Sequence, residues 1–245
     1  MRSIREATER MTAPWDDPRI VRGMRAQLEH RRERIAAGEA PLGWKVGFGA
    51  PAAMKNLGLT APLTGFLMRP ALVPSGGTVS LAGWVKPVAE PEIAVHMGAD
   101  LGPGAGGDAV KSAIAGLGAA IELADLDRPP SDVEAILTGN IYQRHVVLGA
   151  SDAARAGGDT AGLIGRVFRR GAEVAHTADP QANTGEIITI VRQVADLLAA
   201  FGERLRAGEV IITGSVVPPL FIEPDEDGVA FELAPIGSVS VRFAR

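Results

Sequence analysis

The apolar positions of the chain change their period once, near residue 40. Before that point Ile20, Met24 and Leu28, and again Val21, Leu28 and Ile35, recur at the spacing of one helical face. Asp16-Asp17-Pro18 supplies the capping carboxylates and first-turn proline that open a helix, and Gly38 closes it, so a helix is predicted to about Ala37. From Gly43 onward the apolar runs are short and bounded by Gly or Pro: GWKVGFG, GGTVSL, KPVAEPEIAVHMG, RHVVLG, GEVIITG, GVAFEL and GSVSVRF all read as strands. Within GRVFRRGAEVAH, Arg170-Gly171 separates two alternating runs, the signature of a hairpin. Helical patterns interrupt the strands at 108–117, 131–137 and 185–206, the last with Ile187, Val191, Val194, Leu198 and Phe201 along one face. A helical segment over 1–40 followed by a strand-rich unit over 41–245 is an α+β arrangement, not a regular βαβ alternation.

Composition narrows what such a chain can do. With 245 residues and 46% hydrophobic positions it can bury a substantial core. Lys plus Arg number 25 against 29 Asp plus Glu, a net charge of −4 that offers no footprint for nucleic acid. The arginines of the first helix are interleaved with Glu29 and Glu33 and lack aromatic company, which reads as a solvated face. The absence of cysteine removes disulfides, thiolate nucleophiles and zinc ribbons together. The charged start MRSIREATERMTAPWDD is not a secretory signal, and no apolar run is long enough to span a bilayer. A cytoplasmic protein acting on small molecules, without nucleic-acid or membrane partners, is the expectation.

Candidate chemistry begins with VAEPEIAV. Glu90 and Glu92 stand two apart in a strand, so their side chains point to the same face. Glu122 lies in AAIELAD, another apolar segment. Carboxylates buried side by side repel and are costly to desolvate, and a hard divalent cation with oxygen ligands, Mg2+ or Mn2+, removes both problems. The alternative is an edge strand facing water, with which Pro91 is compatible. Lys45, fenced by glycines in GWKVGFG, either snorkels to the surface or sits buried near the carboxylates, where it would transfer protons. Gly102, Gly104 and Gly107 match G-x-G-x-x-G with Asp127 twenty residues on, but no βαβ units surround them and Pro103 occupies the turn. His30, His96, His145 and His176 show no ligand spacing and read as structural.

Taken in order, GWKVGFGAPAAMKNLGL, VKPVAEPEIAVHMGADL, AAIELAD, AGEVIITGSVVPP and IGSVSVRF resemble the fumarylacetoacetate hydrolase superfamily, and within it the 2-keto-4-pentenoate hydratase and 4-oxalocrotonate decarboxylase branch. The resemblance covers about residues 40–245. It implies a β-rich body whose mixed, rolled sheet encloses a metal site, with flanking helices and an N-terminal helical segment. It assigns Glu90, Glu92 and Glu122 to Mg2+ or Mn2+ and Lys45 to proton transfer. It also sets Gly65, Phe66, Thr213, Gly214 and Ser215 beside a small 2-oxo acid substrate. The implied protein is a homo-oligomeric lyase of aromatic catabolism. Hydration of a 2-hydroxydienoic acid is the expected reaction, with a decarboxylase or an acylpyruvate hydrolase as enzymatic alternatives. A member that has lost turnover and serves as a binding scaffold is the non-enzymatic one.

Three departures bear on that choice. Hydratases of the branch commonly carry an acid just before the PxxG motif, where this chain has Thr60-Ala61-Pro62-Leu63-Thr64-Gly65. The segment LDRPPSDVEAILTGNIYQRHVVLG is shorter than its hydratase counterpart, which ends in Asp-Asn-Ala-Ser, and Asn140 matches it in part; Asp125, Asp127, Arg128 and Arg144 have no assigned role. The His–Glu pair of the hydrolases has no match ahead of the metal motifs, where His30 stands alone.

Overall fold

The computed structural model describes residues 13–245 and opens with a 3-10 turn at Pro14–Asp16 that feeds α1 (Pro18–Ala36). The first twelve residues of the expected 1–40 segment lie outside the described residues. The Asp17 carboxylate accepts from the Arg19 amide at 2.8 Å, and Pro18 occupies the first turn, where its missing N–H costs no helical bond. Gly38 takes a left-handed conformation (φ 95°) and ends the helix where the sequence predicts. Ile20, Met24 and Leu28 are buried, whereas Val21 is half-buried and Ile35 exposed, so one of the two predicted stripes faces the core.

The strand-rich unit follows with β1 (Pro41–Gly47), α2 (Pro51–Leu57), β2 (Leu63–Met68), β3 (Leu72–Val73), β4 (Gly77–Ser80) and β5 (Pro87–Met97). Helix α3 (Gly107–Ala113) runs straight into β6 (Ile114–Asp125), and α4 (Val133–Thr138) and β7 (Gln143–Leu148) come next. Strands β8 (Ile164–Arg169) and β9 (Ala172–Thr177) form the expected hairpin, with Arg170 and Gly171 both left-handed, as a two-residue turn between twisted strands requires. Helix α5 (Ile187–Ala200), β10 (Val210–Ser215), β11 (Leu220–Phe221), β12 (Gly228–Ala234) and β13 (Gly237–Ala244) complete the order.

The strands make two sheets. The larger runs β2-β1-β10-β5-β6-β7-β3, with β11 paired to the start of β5, and it curls into a half-barrel. It is mixed: β1–β10 and β3–β7 are parallel and the rest antiparallel. The smaller sheet runs β4-β13-β12-β8-β9. Alternation along each strand of the larger sheet gives its faces different fillings. Trp44, Phe66, Val95, Ile121 and Ile211 join the main core, which also contains the buried faces of α1 and α5. Leu42, Leu67, Ala94, Ala120, Val146, Val210 and Ile212 form a separate, smaller cluster on the other face. Glu92 and Glu122 lie two residues from Ala94 and Ala120 along their strands, so the carboxylates extend this smaller layer.

Three sequence expectations change. Of the predicted helix over 108–117, Ile114 to Leu117 belong to β6, because Gly116 and Gly118 bring that strand against the chain at 150–152, where a Cβ would meet the Asp152 and Ala150 carbonyls at 2.6 and 2.9 Å. The predicted 185–206 helix is Ile187–Ala200, ended by left-handed Gly202. The edge-strand alternative for Glu90 and Glu92 does not hold, since β5 lies between β10 and β6. Pro91 lies one residue past the Glu92–Ser215 pair, where β10 has ended, and its carbonyl still accepts from the Val216 amide at 2.8 Å.

Candidate active site

Neighbouring strands bring the three predicted carboxylates together. Glu90 on β5 stands directly opposite Glu122 on β6, and Glu92 follows on the same face of β5. One carboxylate oxygen from each lies within 4.8 Å of the others. Glu92 and Glu122 are 1% and 0% exposed. Such a like-charge cross-strand set destabilises a sheet unless something offsets it.

Part of the compensation is visible. The Gly214 amide donates to Glu92 Oε2 at 2.6 Å. Lys45 reaches in from β1, 1% exposed, and its ammonium donates to Glu122 Oε1 and, at 3.1 Å, to the Ile141 carbonyl. Snorkelling is therefore excluded for Lys45. When ionised, three carboxylates against one ammonium leave two uncompensated negative charges, and Glu92 Oε1 and Glu122 Oε2 are buried without a hydrogen-bond partner. Burial pushes the Glu122 carboxyl up to about 7 against the pull of Lys45. Burial, with the neighbouring carboxylates Glu122 and Glu90, pushes Glu92 well up, and burial raises Glu90. Oxygen-only donors, two orphaned buried oxygens and a deficit of two positive charges fit a hard divalent cation.

A cavity of about 280 Å³ opens beside this cluster. Lys45, Glu90, Gly214 and Ser215 line its polar side. Phe48, Leu126, Tyr142, Pro219 and Phe221 contribute walls that are largely apolar. None of the four histidines lines it.

The remaining predicted residues are divided by the fold. Gly214 and Ser215 reach the cavity, and the left-handed Gly214 (φ 96°) turns its amide onto Glu92. Thr213 does not: it is buried, and its hydroxyl donates to the Ile93 carbonyl at 3.3 Å. Gly65 supports the site from behind, since a Cβ there would stand 2.8 Å from Asn140 Oδ1 and 3.0 Å from Lys45 Cγ. Phe66 is a correction. It pairs with Trp44, on the face opposite Lys45, and its ring meets His30 edge-on at 6.0 Å, under α1 and away from the cavity. Among the unassigned polar residues, the Asp125 carboxylate accepts from the Val85 and Lys86 amides, while Asp127 pairs with Arg128 and Arg144. Helix α3, which begins at the last glycine of that motif, has seven residues and leads straight into β6.

Asn140 is more than a partial motif match. Its side-chain amide pairs with the β2 backbone, accepting from the Phe66 N–H at 2.8 Å and donating to the Phe66 carbonyl at 2.9 Å. Asn140, Ile141 and Tyr142 are all left-handed (φ 52°, 52° and 62°), an arrangement that costs β-branched and aromatic residues most. This turn aims the Ile141 carbonyl at Lys45. No sequence signal marks it, because neither Ile nor Tyr favours that backbone. Phe48, Asn183 and Thr184 also line the cavity without having been singled out.

A rolled mixed sheet with a carboxylate cluster and a buried lysine on one face defines the class. No family model matches the sequence. The chain is 30% identical over 220 residues to the 4-oxalocrotonate decarboxylase of Pseudomonas putida, covering 89% of this chain and 83% of that protein. It is 29% identical over 223 residues to the 2-hydroxyhexa-2,4-dienoate hydratase of Comamonas testosteroni, covering 88% and 83%. The solved structure of 4-oxalocrotonate decarboxylase from Pseudomonas putida G7, complexed with magnesium and adipate, superimposes with a TM-score of 0.81 at 29% identity, over 89% of this chain and 83% of that one. The chain belongs to the fumarylacetoacetate hydrolase superfamily, in the branch of 2-keto-4-pentenoate hydratases and 4-oxalocrotonate decarboxylases.

Proposed function

We propose that the protein is a divalent-metal-dependent lyase acting on a small 2-oxo or 2-hydroxydienoic acid. The observation that carries this reading is the triad of half-buried Glu90 and buried Glu92 and Glu122, with two orphaned oxygens, beside a buried lysine and an apolar cavity. Those three carboxylates would hold Mg2+ or Mn2+, which supplies Lewis acidity toward a 2-oxo carboxylate when bound. The chain's own part is to orient the substrate and to move a proton. Lys45 is the ionisable group placed for that transfer: Glu122 and the Ile141 carbonyl fix its ammonium, and it lines the cavity. Gly214 and Ser215 would bind substrate, and the apolar walls exclude water from the reacting carbons.

Two reactions fit this machinery. Decarboxylation asks only that a carboxylate leave as carbon dioxide and that Lys45 return a proton to carbon. Hydration, expected from the motifs, also needs a group to take the proton of water. The cavity walls offer no carboxylate besides Glu90 and no histidine, and Ala61, where hydratases commonly carry an acid, is a buried apolar residue. This favours decarboxylation of a 2-oxo-enedioic acid; hydration, with Ser215 or Thr184 holding the water, is the second reading. A cytoplasmic homo-oligomer completes the proposal, and analytical ultracentrifugation reports the assembly.

The deciding assay supplies 4-oxalocrotonate and 2-hydroxypenta-2,4-dienoate in turn, with Mg2+ and then with a chelator. Chelator-sensitive release of carbon dioxide from the first is the expected result. Chelator-sensitive loss of the second to a hydrated product would select hydration instead. Tight Mg2+ binding without turnover of either, or of acylpyruvates, would point to a scaffold.

A further inference from the structure

The walls of the cavity give it a direction. Val88 and Glu90 on β5 and Ala124 on β6 line it, with Val88 directly opposite Ala124. Further from the carboxylates the wall includes Leu126, whose amide donates to the Lys86 carbonyl at 3.0 Å and so carries the β5–β6 pairing past the ends of both strands. Phe221 stands at the same end. It pairs with Val88 from β11, lines the cavity and is 48% exposed, so the cavity meets solvent there. One wall thus runs from the carboxylate cluster to an opening at Leu126 and Phe221.

Lys86 is exposed and stands at that opening. Side chains alternate along a strand, so Lys86 shares the face of Val88, Glu90 and Glu92, and four residues put it roughly 13 Å from Glu90 along the line of β5. Its ammonium lies 4.6 Å from the centroid of the Phe221 ring, and among the described residues it meets no carboxylate. The neighbouring cations are occupied: Arg144 pairs with Asp125 and Asp127, and Arg169 with Glu226 and the Phe221 carbonyl. An ammonium resting on an aromatic ring keeps its charge for an incoming anion, whereas a carboxylate partner would neutralise it. The backbone that carries this lysine is fixed as well. Asp125, 3% exposed, accepts from the Val85 and Lys86 amides at 3.0 and 2.7 Å. Lys86 is not part of the wall itself, so it would meet the portion of a ligand that reaches the mouth.

We propose that Lys86 is a specificity-determining residue whose ammonium pairs with the distal carboxylate of a 2-oxo diacid at the mouth of the cavity, favouring that substrate over one with a hydrocarbon tail. The proposal rests on the lyase reading of the same site and deepens it. With the reacting end of the acid at the carboxylate cluster, its far end follows the apolar wall toward Phe221. The span from Glu90 to Lys86 lies within the combined reach of a six-carbon diacid and a lysine side chain. The ion pair forms before any bond changes, so it contributes to capture of the diacid and not to the chemical step.

The test uses two unreactive saturated ligands of equal chain length, 2-oxoadipate and 2-oxohexanoate. Each is titrated calorimetrically into the full-length Mg2+-loaded protein and into its Lys86→Met and Lys86→Arg variants. Lys86→Met should weaken 2-oxoadipate by about fivefold, the effect of a favourable exposed ion pair. It should hold 2-oxohexanoate within about twofold, which also shows the variant to be folded. Lys86→Arg keeps the charge and should hold both ligands within about twofold. Raising the NaCl concentration should weaken 2-oxoadipate more in the unmodified protein than in Lys86→Met, because the pair is exposed to solvent. Equal losses for both ligands, no loss for 2-oxoadipate, a loss in Lys86→Arg as large as in Lys86→Met, or the same salt effect with and without the lysine overturns the proposal and leaves the lyase reading standing. Failure of 2-oxoadipate alone to bind the unmodified protein does the same. Failure of both ligands to bind it removes the lyase reading, and the proposal with it.

Discussion

Lys45 and Glu92 have separable tasks in the proposed site, and single substitutions should separate them. Lys45→Met keeps a chain of similar length in the buried slot but removes the proton carrier. Turnover should fall by about 10²–10⁴-fold, the usual contribution of a positioned acid or base, while calorimetry still finds a metal-binding protein. Glu92→Gln keeps the shape and removes one charge from an oxygen set that a hard cation needs. Mg2+ affinity should drop by at least about tenfold by titration, with the circular dichroism spectrum unchanged. If Glu92→Gln bound Mg2+ as tightly as the unmodified protein, the metal assignment would be wrong. Glu92 was legible in the sequence because a carboxylate in an apolar strand contradicts its surroundings. The Asn140–Tyr142 turn that holds Lys45 was not, because neither Ile nor Tyr favours a left-handed backbone.

At the scale of elements, the site depends on a clasp between the turn before β7 and the edge strand β2. Asn140 imitates a neighbouring strand by pairing with both backbone groups of Phe66, and this joins the left-handed turn to the strand beside Lys45. Asn140→Ala would leave those two groups unpaired in a buried setting and would strand alanine in a left-handed conformation. A loss of about 2–4 kcal/mol in denaturant unfolding is expected. Gly65→Ala tests the same junction from the other side. Its Cβ would press on Asn140 Oδ1 and Lys45 Cγ, so a destabilisation of about 1–3 kcal/mol with impaired turnover is expected. Strand identity was legible here from short runs bounded by Gly and Pro. Strand β2 was missed, since LTGFLM is entirely buried and has no alternation to betray it.

For the whole molecule, the carboxylate cluster couples stability to pH and to metal. Glu122, pushed up to about 7 by burial, holds its proton in the folded metal-free protein over a range where the unfolded chain has released it. The folded state then binds more protons than the unfolded state, so the stability this group contributes is full below the ordinary carboxylate range and is lost as pH rises through about 7. Glu90 and Glu92 shift in the same direction. The Tm of the metal-free protein should therefore decline between about pH 5 and pH 7.5, and saturating Mg2+ should raise Tm most at the upper end, where the cluster is ionised. A metal-free Tm that climbs across this range would show that the carboxylates are not held as described. The 1–40 and 41–245 division is also proposed to be one of sequence, not of folding. Helix α1 lies across Trp44 and Phe66 of the sheet, with Arg31 over the Trp44 ring at 4.6 Å, so removing α1 should expose core and abolish cooperative unfolding.

The sequence by itself determined the helix–then–strands order, the hairpin at Arg170-Gly171, and the unusual placement of Glu90, Glu92, Glu122 and Lys45. These are local facts: periodicity, turn chemistry and a charge in an apolar run are written within a few residues of one another. Only the tertiary structure decided that β5 is interior, that Phe66 turns away from the site while Gly65 makes room for Lys45, and that a strained turn eighteen to twenty residues beyond Glu122 holds the lysine. Strand order, the facing of a residue across a rolled sheet, and the partners that repay a left-handed backbone all depend on contacts between segments far apart in the chain. No local pattern encodes them, because the free energy that favours them comes from the assembled core.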